Sequence, residues 1–80
     1  MKEGLLLLLC LPMIGFGQTA KDYFDKAYNN ESDYQYQIDN YTKCLKIDPD
    51  YYSAYNNRGI AYKDLGNYKD AIADYTKAIT

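Results

Sequence analysis

Residues 62–79 read YKDLGNYKDAIADYTKAI, and part of the same pattern occurs 34 residues upstream. Aligning the chain with itself at that offset places identical residues together at several positions. These matches are Ala27 with Ala61, Tyr28 with Tyr62, Tyr34 with Tyr68, Ile38 with Ile72, and Tyr41–Lys43 with Tyr75–Lys77. A repeat period of this length is typical of stacked helix pairs, each of which buries one face against the next pair. The sequence therefore predicts a helical repeat that presents a binding surface.

Four helices are predicted in residues 20–80. They cover about residues 20–30, 34–47, 52–65 and 68 to the end of the chain. In the last helix the apolar residues recur at helical spacing and define one face: Tyr68, Ala71, Ile72, Tyr75, Ala78 and Ile79. Lys69, Asp70, Asp74 and Lys77 are assigned to the solvent-exposed face of that helix.

Residues suited to helix ends separate these segments. Gly66 is expected to adopt the left-handed conformation that ends a helix. Asn67 is a favourable N-cap, and Asp70 follows at N3, where a carboxylate interacts with free backbone amides. Asp33 is predicted to cap the second helix in the same way. Pro49 is expected to end that helix, because proline disfavours helical geometry in the residue before it.

Residues 1–17 have the features of a secretory signal peptide. A short start containing Lys2 precedes an apolar run from Leu5 to Ile14, and small residues lie at Gly15 and Gly17. The run is shorter than the roughly 20 apolar residues that span a bilayer. We expect cleavage near Gly17 and export to the periplasm or cell envelope. A leader that is retained as an anchor is the alternative, and it would be the only membrane contact.

Composition argues against several function classes. The formal net charge is −2 with no basic stripe, which argues against nucleic acid as a partner. The chain contains no histidine, which removes the usual general base and metal ligand. No serine elbow or glycine-rich phosphate loop is present, so no catalytic residue, metal site or cofactor is predicted. Cys44 is expected to be a small buried residue between helices.

The stretch from Asp48 to Ile79 resembles the tetratricopeptide repeat. The resemblance rests on these positions: Pro49, Tyr55, Gly59, Tyr62, Ala71, Tyr75 and Ala78. It implies an all-α fold of helix-turn-helix repeats that form a short right-handed solenoid. Gly59 and Ala71 would be small so that two helices can approach closely, with tyrosines filling the space around the contact.

The resemblance implies a tetratricopeptide segment over residues 18–80, with a divergent repeat at about 18–51 and a near-consensus repeat at about 52–80. In the first repeat Asp25 and Gln37 occupy the places of Gly59 and Ala71, which leaves the register of the first helix open. The second repeat is expected to be incomplete, with a bare apolar edge on its last helix. A fragment of a longer exported protein is one explanation, and self-association through that edge is the other.

Members of this family bind peptides in a groove lined by the first helix of each pair. The resemblance places the candidate peptide-binding groove at Ser53, Asn56, Asn57, Ile60, Lys63 and Asp64. In the first repeat the matching positions are Asp22, Lys26 and Asn29, provided that its register holds. Asn57 is the one match to a clamp for a peptide carboxylate, and Ile60 counts against such a clamp.

The expected function is a secreted or periplasmic scaffold that binds a protein or peptide and has no catalytic activity. The alternative is a docking segment of a longer exported enzyme or sensor whose active domain lies beyond Thr80.

Overall fold

The computed structural model describes residues 18–80, and the predicted signal peptide at residues 1–17 lies outside the described part. Four helices follow one another: α1 (Ala20–Tyr28), α2 (Tyr34–Ile47), α3 (Tyr52–Asp64) and α4 (Tyr68–Ala78). Each helix packs against the next one along the chain. No strand occurs in residues 18–80. The predicted all-α fold of paired helices is confirmed.

The predicted helix ends are largely correct. Asp33 accepts a hydrogen bond from the backbone amide of Tyr36 at 2.9 Å, and Asn67 accepts one from Asp70 at 3.3 Å. Gly66 has a φ of 85°, in the left-handed region that glycine adopts without strain. The first helix is shorter than predicted, because it ends at Tyr28 and residue 29 is its C-cap.

The register of α1 follows the offset of 34 residues. Ala20 and Ala27 are buried in α1, and their counterparts Ala54 and Ala61 are buried in α3. The first repeat accommodates Gln37, which replaces an alanine, through its loop: the Gln37 amide donates a hydrogen bond to the carbonyl of Asn30. Divergence of the first repeat therefore changes the loop and leaves the inward face of α1 in place.

Small residues dominate the core. The buried hydrophobic residues are Ala20, Ala27, Ile38, Tyr41, Cys44, Leu45, Ala54, Ala61 and Ala71. Aromatic rings close the space around them; Phe24 stacks on Tyr51 with 4.9 Å between ring centroids and contacts Tyr41 at 5.4 Å. Because most of these buried residues are short, the helix axes can approach one another closely.

α3 and α4 approach each other closely at Gly59. A Cβ atom added there would lie 2.8 Å from an aromatic carbon of Tyr75 and 3.2 Å from the carbonyl oxygen of Ala71. The prediction that Gly59 and Ala71 are small to permit helix contact is confirmed.

One face of α4 is uncovered in the described part of the chain. Ala71 is buried and Tyr75 is half-buried against α3, whereas Tyr68, Ile72 and Ile79 are exposed. Only part of the predicted apolar face of this helix is therefore covered.

Within residues 18–80, none of the helices combines the length and the hydropathy required to cross a bilayer.

Candidate peptide-binding face of α3

The predicted groove residues lie on one side of α3. Ser53, Asn56, Ile60, Lys63 and Asp64 are exposed, and they recur every three or four residues along the helix. Buried residues of the same helix, including Ala54 and Ala61, face the neighbouring helices instead. We call these five exposed residues the outer face of α3.

Asn57 belongs to the predicted set but is half-buried. Its side chain lies near the hydroxyl of Tyr41, a residue of α2 that is 3% exposed. Burial raises the pKa of Tyr41, and the interaction with Asn57 acts in the opposite direction. Asn57 therefore helps to attach α3 to α2, in addition to standing beside the outer face.

The outer face of α3 combines several kinds of side chain. Ser53 and Asn56 supply a hydroxyl and an amide, Ile60 exposes an apolar side chain, and Lys63 and Asp64 carry opposite charges. Across residues 18–80 there is no enclosed pocket and no cluster of residues placed to hold a metal ion. The face is an open helix surface that can offer hydrogen bonds and one apolar contact to a ligand.

In the first repeat, the matching positions make local contacts within or beside α1. Asp22 accepts from the backbone amide of Thr19 at 2.9 Å and completes a capping box, while Asn29 is the C-cap of α1. Lys26 donates to Gln18 at 3.2 Å, and its ammonium group lies 5.3 Å from the centroid of the Tyr23 ring. These side chains are engaged locally, so the freely presented polar groups belong to α3.

A buried ion pair lies behind the outer face. The Arg58 guanidinium donates to both carboxylate oxygens of Asp74 at 2.8 Å, and to the hydroxyl of Thr42 at 3.0 Å. The rings of Tyr55 and Tyr62 lie 5.7 and 5.8 Å from the guanidinium carbon. The hydrogen bonds with Asp74 raise the pKa of Arg58, whereas burial lowers it. One side chain of α3 thus connects α2 to α4.

The prediction that Asp74 faces solvent is wrong, because only 6% of the residue is exposed. Arg58 compensates the buried carboxylate with two charge-assisted hydrogen bonds. Helical spacing could have indicated the burial of Asp74. This residue is three positions after Ala71 and four before Ala78, which places it on the side of α4 that meets α3. Its counterpart in the first repeat, Asn40, is buried as well.

Cys44 is fully buried, as predicted, between α2 and its neighbours. Burial raises the pKa of the thiol to about 11, with a further contribution from Asp48. A thiol in this state is a poor nucleophile, because the thiolate is the reactive form. Cys44 therefore acts as a small core residue.

Comparison with protein families supports the assignment of the second repeat. Residues 52–80, which form α3 and α4, match the sequence profile described as Tetratricopeptide repeat. No solved structure matches the chain significantly. Repeats of this family are in general protein-interaction modules. Residues 18–80 therefore form an all-α helical fold in which residues 52–80 match a tetratricopeptide repeat, a kind of repeat that in general mediates protein–protein interaction.

Proposed function

We propose that this chain is an exported scaffold module, without catalytic activity, that binds a peptide segment of a partner protein on the outer face of α3. The observation that carries the proposal is the exposure of five side chains of mixed chemistry on one side of that helix. The opposite side of α3 includes Ala54 and Ala61, which are fully buried.

The polar, apolar and charged side chains of the outer face of α3 have separate roles in this proposal. The Asn56 amide both donates and accepts, so it can pair with the backbone of an extended peptide. Ile60, which is 40% exposed, offers an apolar contact for a ligand side chain. Lys63 and Asp64 add charges at the rim, which favour particular ligand sequences more than they add affinity.

Side chains behind the outer face of α3 fix the position of this helix, which favours specific binding. Arg58 and Asn57 attach α3 to the two helices on either side of it. A face held in this way loses little conformational freedom when a ligand binds, and the entropic cost of binding is correspondingly low.

Binding on α3 is tested by selecting peptides from a random display library with this chain and mapping the best ligand by NMR. We expect the ligand to shift the backbone signals of α3 around Asn56 and Ile60. Ile60→Lys should weaken binding, whereas Ala73→Lys, which places the same charge at an exposed site on α4, should not. Shifts confined to α4, or equal binding by both variants, would contradict the assignment.

Export is supported by the leader at residues 1–17, with its apolar run and the small residues around Gly17. Expression in a bacterium that exports proteins, followed by intact mass measurement of the product, tests this part. A periplasmic product that begins at Gln18 is expected. A cytoplasmic product that keeps residue 1 would refute export and leave the binding proposal untouched.

A further inference from the structure

Three aromatic rings connect α1 to the start of α3. Phe24 stacks on Tyr28 of the same helix, with 5.8 Å between the ring centroids and 15° between the ring planes. Phe24 also stacks on Tyr51, the N-cap of α3, at 4.9 Å and 22°. We call these three residues the aromatic stack.

The aromatic stack lies beside the part of α3 to which the proposed function assigns a ligand. Phe24 contacts Tyr41 of α2, with 5.4 Å between the ring centroids. The pKa of Tyr41 is raised by burial, lowered by Asn57 and raised by Tyr28, so both of these side chains lie near its hydroxyl. Tyr28 of α1 and Asn57 of α3 therefore border one stretch of surface, and the buried Tyr41 lies beneath it.

Tyr28 is the ring of the stack that a ligand can reach most easily. It is 62% exposed, whereas Phe24 and Tyr51 are half-buried. The counterpart of Tyr28 in the second repeat, Tyr62, is half-buried, and its ring centroid lies 5.8 Å from the guanidinium carbon of Arg58. In the first repeat Phe24 occupies the place of Arg58. This change replaces a charged side chain by an apolar ring, next to a tyrosine that is open at the surface.

Polar groups beside the aromatic stack can donate hydrogen bonds to a ligand. The hydroxyl of Tyr28 belongs to an exposed side chain, and the exposed amide of Asn56 carries two N–H donors. The carboxylate of Asp25, which follows Phe24 in the chain, accepts a hydrogen bond from Lys21 at 2.7 Å. A ligand that fits this surface combines flat apolar groups with backbone carbonyls that are free to accept.

We propose that the aromatic stack and the outer face of α3 together bind a proline-rich segment of a partner protein in the polyproline II conformation. The proposal rests on the proposed function and names the class of ligand that the site takes. A polyproline II segment has no internal hydrogen bonds, so its carbonyls can accept from the tyrosine and asparagine donors. Its prolines have no N–H group that would need an acceptor on the protein.

The dimensions and the rigidity of the surface suit such a ligand. One turn of a polyproline II segment is about 9 Å long, which is comparable with two ring spacings of the aromatic stack. Aromatic surfaces of this kind bind polyproline II segments in several unrelated domains. Both sides are ordered before they meet, because Tyr28 packs on Phe24 and the segment is already extended, and the entropic cost of binding is reduced.

The 80 residues contain two prolines, Pro12 in the leader and Pro49 in the turn before α3, and therefore hold no proline-rich segment. The ligand comes from outside these residues, so the test adds it as a separate molecule. The full chain of 80 residues is titrated into a labelled synthetic peptide of ten prolines, and fluorescence anisotropy measures binding. A Gly–Ser peptide with the same length and label is the control ligand. We expect saturable binding of the proline peptide only.

A third peptide separates proline recognition from general hydrophobic adhesion. It is a Gly–Ser peptide of the same length that carries two phenylalanines. Although its side chains are more apolar than proline, it should bind at least about tenfold more weakly, because a flexible chain loses more conformational entropy on binding.

Variants of Tyr28 test the role of its ring. Tyr28→Leu should weaken binding of the proline peptide about tenfold or more, since exposed aromatic anchors contribute much of the binding energy at such sites. Tyr28→Phe keeps the ring and should lose about threefold, which is the part due to the hydroxyl. Tyr68→Leu is the matched control, because Tyr68 is 63% exposed at the start of α4. Circular dichroism checks that each variant keeps its helices.

The outcomes distinguish this proposal from the proposed function. Absence of binding by the proline peptide, equal effects of Tyr28→Leu and Tyr68→Leu, or equal or tighter binding of the phenylalanine peptide would each overturn the proline assignment. If the random library nevertheless yields ligands that shift the signals of α3, the proposed function stands without it. Failure of both the library and the proline peptide would overturn both.

Discussion

Replacing Arg58 by methionine removes the guanidinium that pairs with Asp74 while it keeps a long apolar stem in the same place. The carboxylate of Asp74 would then lose both of its hydrogen bonds of 2.8 Å. Its side chain is 8% exposed, so water cannot replace them without rearrangement of α4. We expect the unfolding free energy to fall.

The structure sets the size of this effect. Removing one partner of a buried ion pair costs about 3–5 kcal/mol, since the other charge stays buried without compensation. The pair lies at the edge of the core and the Arg58 side chain is 18% exposed, which favours the lower end, about 3 kcal/mol. A helical segment of this length is stable by roughly 3–9 kcal/mol in total. Arg58→Met should therefore remove between about a third and all of this stability.

The first repeat indicates how the stability lost in Arg58→Met can be recovered. Asn40, the counterpart of Asp74, is buried without an arginine, and its amide donates to the carbonyl of Tyr36 at 3.0 Å. In the double variant Arg58→Met with Asp74→Asn, the new asparagine can donate to the carbonyl of Asp70 in the same way. The double variant should be more stable than Arg58→Met alone, with a coupling energy of about 2 kcal/mol between the two sites.

Urea denaturation followed by far-UV circular dichroism measures the four proteins of this double-mutant cycle. The exposed pair between Lys21 and Asp25 is the matched control, and Lys21→Met should change the unfolding midpoint little. Additive effects of the Arg58 and Asp74 substitutions, within about 0.5 kcal/mol, would refute the reasoning. So would an Arg58→Met protein as stable as the parent.

Three further substitutions follow from the packing, the burial and the capping. Gly59→Ala should destabilise the repeat by about 1–2 kcal/mol, because overlap with the Tyr75 ring at 2.8 Å outweighs the higher helix propensity of alanine; a urea midpoint equal to or above the parent's would contradict this. Cys44 should make the chain less stable at alkaline pH. Its pKa rises from 9.0 to about 11 on folding, so the unfolded chain releases the proton first and stability falls between those pH values, by about 2–3 kcal/mol in all. Cys44→Ala should remove this part of the pH dependence in thermal melts, and identical pH profiles for the two proteins would refute the assignment. Asn67→Ala should cost about 1 kcal/mol, since the amide of Asp70 loses its capping partner; Asn67→Ser, which can still cap, should recover most of the loss in urea unfolding, and an equal loss in both variants would argue against a capping role.

Local signals allowed most of the fold to be predicted. α2 has the bounds that periodicity and Pro49 indicated, and α4 starts directly after the predicted cap at Asn67. These features depend on a few neighbouring residues, which is why the sequence alone reveals them. The early end of α1 at Tyr28 was not foreseen, because the loop that follows uses a contact between Gln37 and the Asn30 carbonyl.

The candidate site was only partly predictable. Exposure of Asn56 and Ile60 on one side of α3 follows from helical spacing and from the repeat pattern. Asn57 lies near Tyr41, and Asp74 accepts hydrogen bonds from Arg58. In both cases the partner residue belongs to another helix. Such partnerships depend on how the helices pack, and a charged residue in a helix is assigned to solvent unless a partner is known.

A core built from Ala20, Ala27, Ala54, Ala61 and Ala71 has little side-chain volume to lose. The largest fully buried side chain in the described part is that of Cys44. Systematic truncation to alanine would leave these five positions untested and would detect only the larger buried residues, such as Ile38, Tyr41 and Leu45. Systematic enlargement would identify the five alanine positions as the most constrained ones. For this chain, the direction in which side chains are varied decides which part of the core a mutational scan detects.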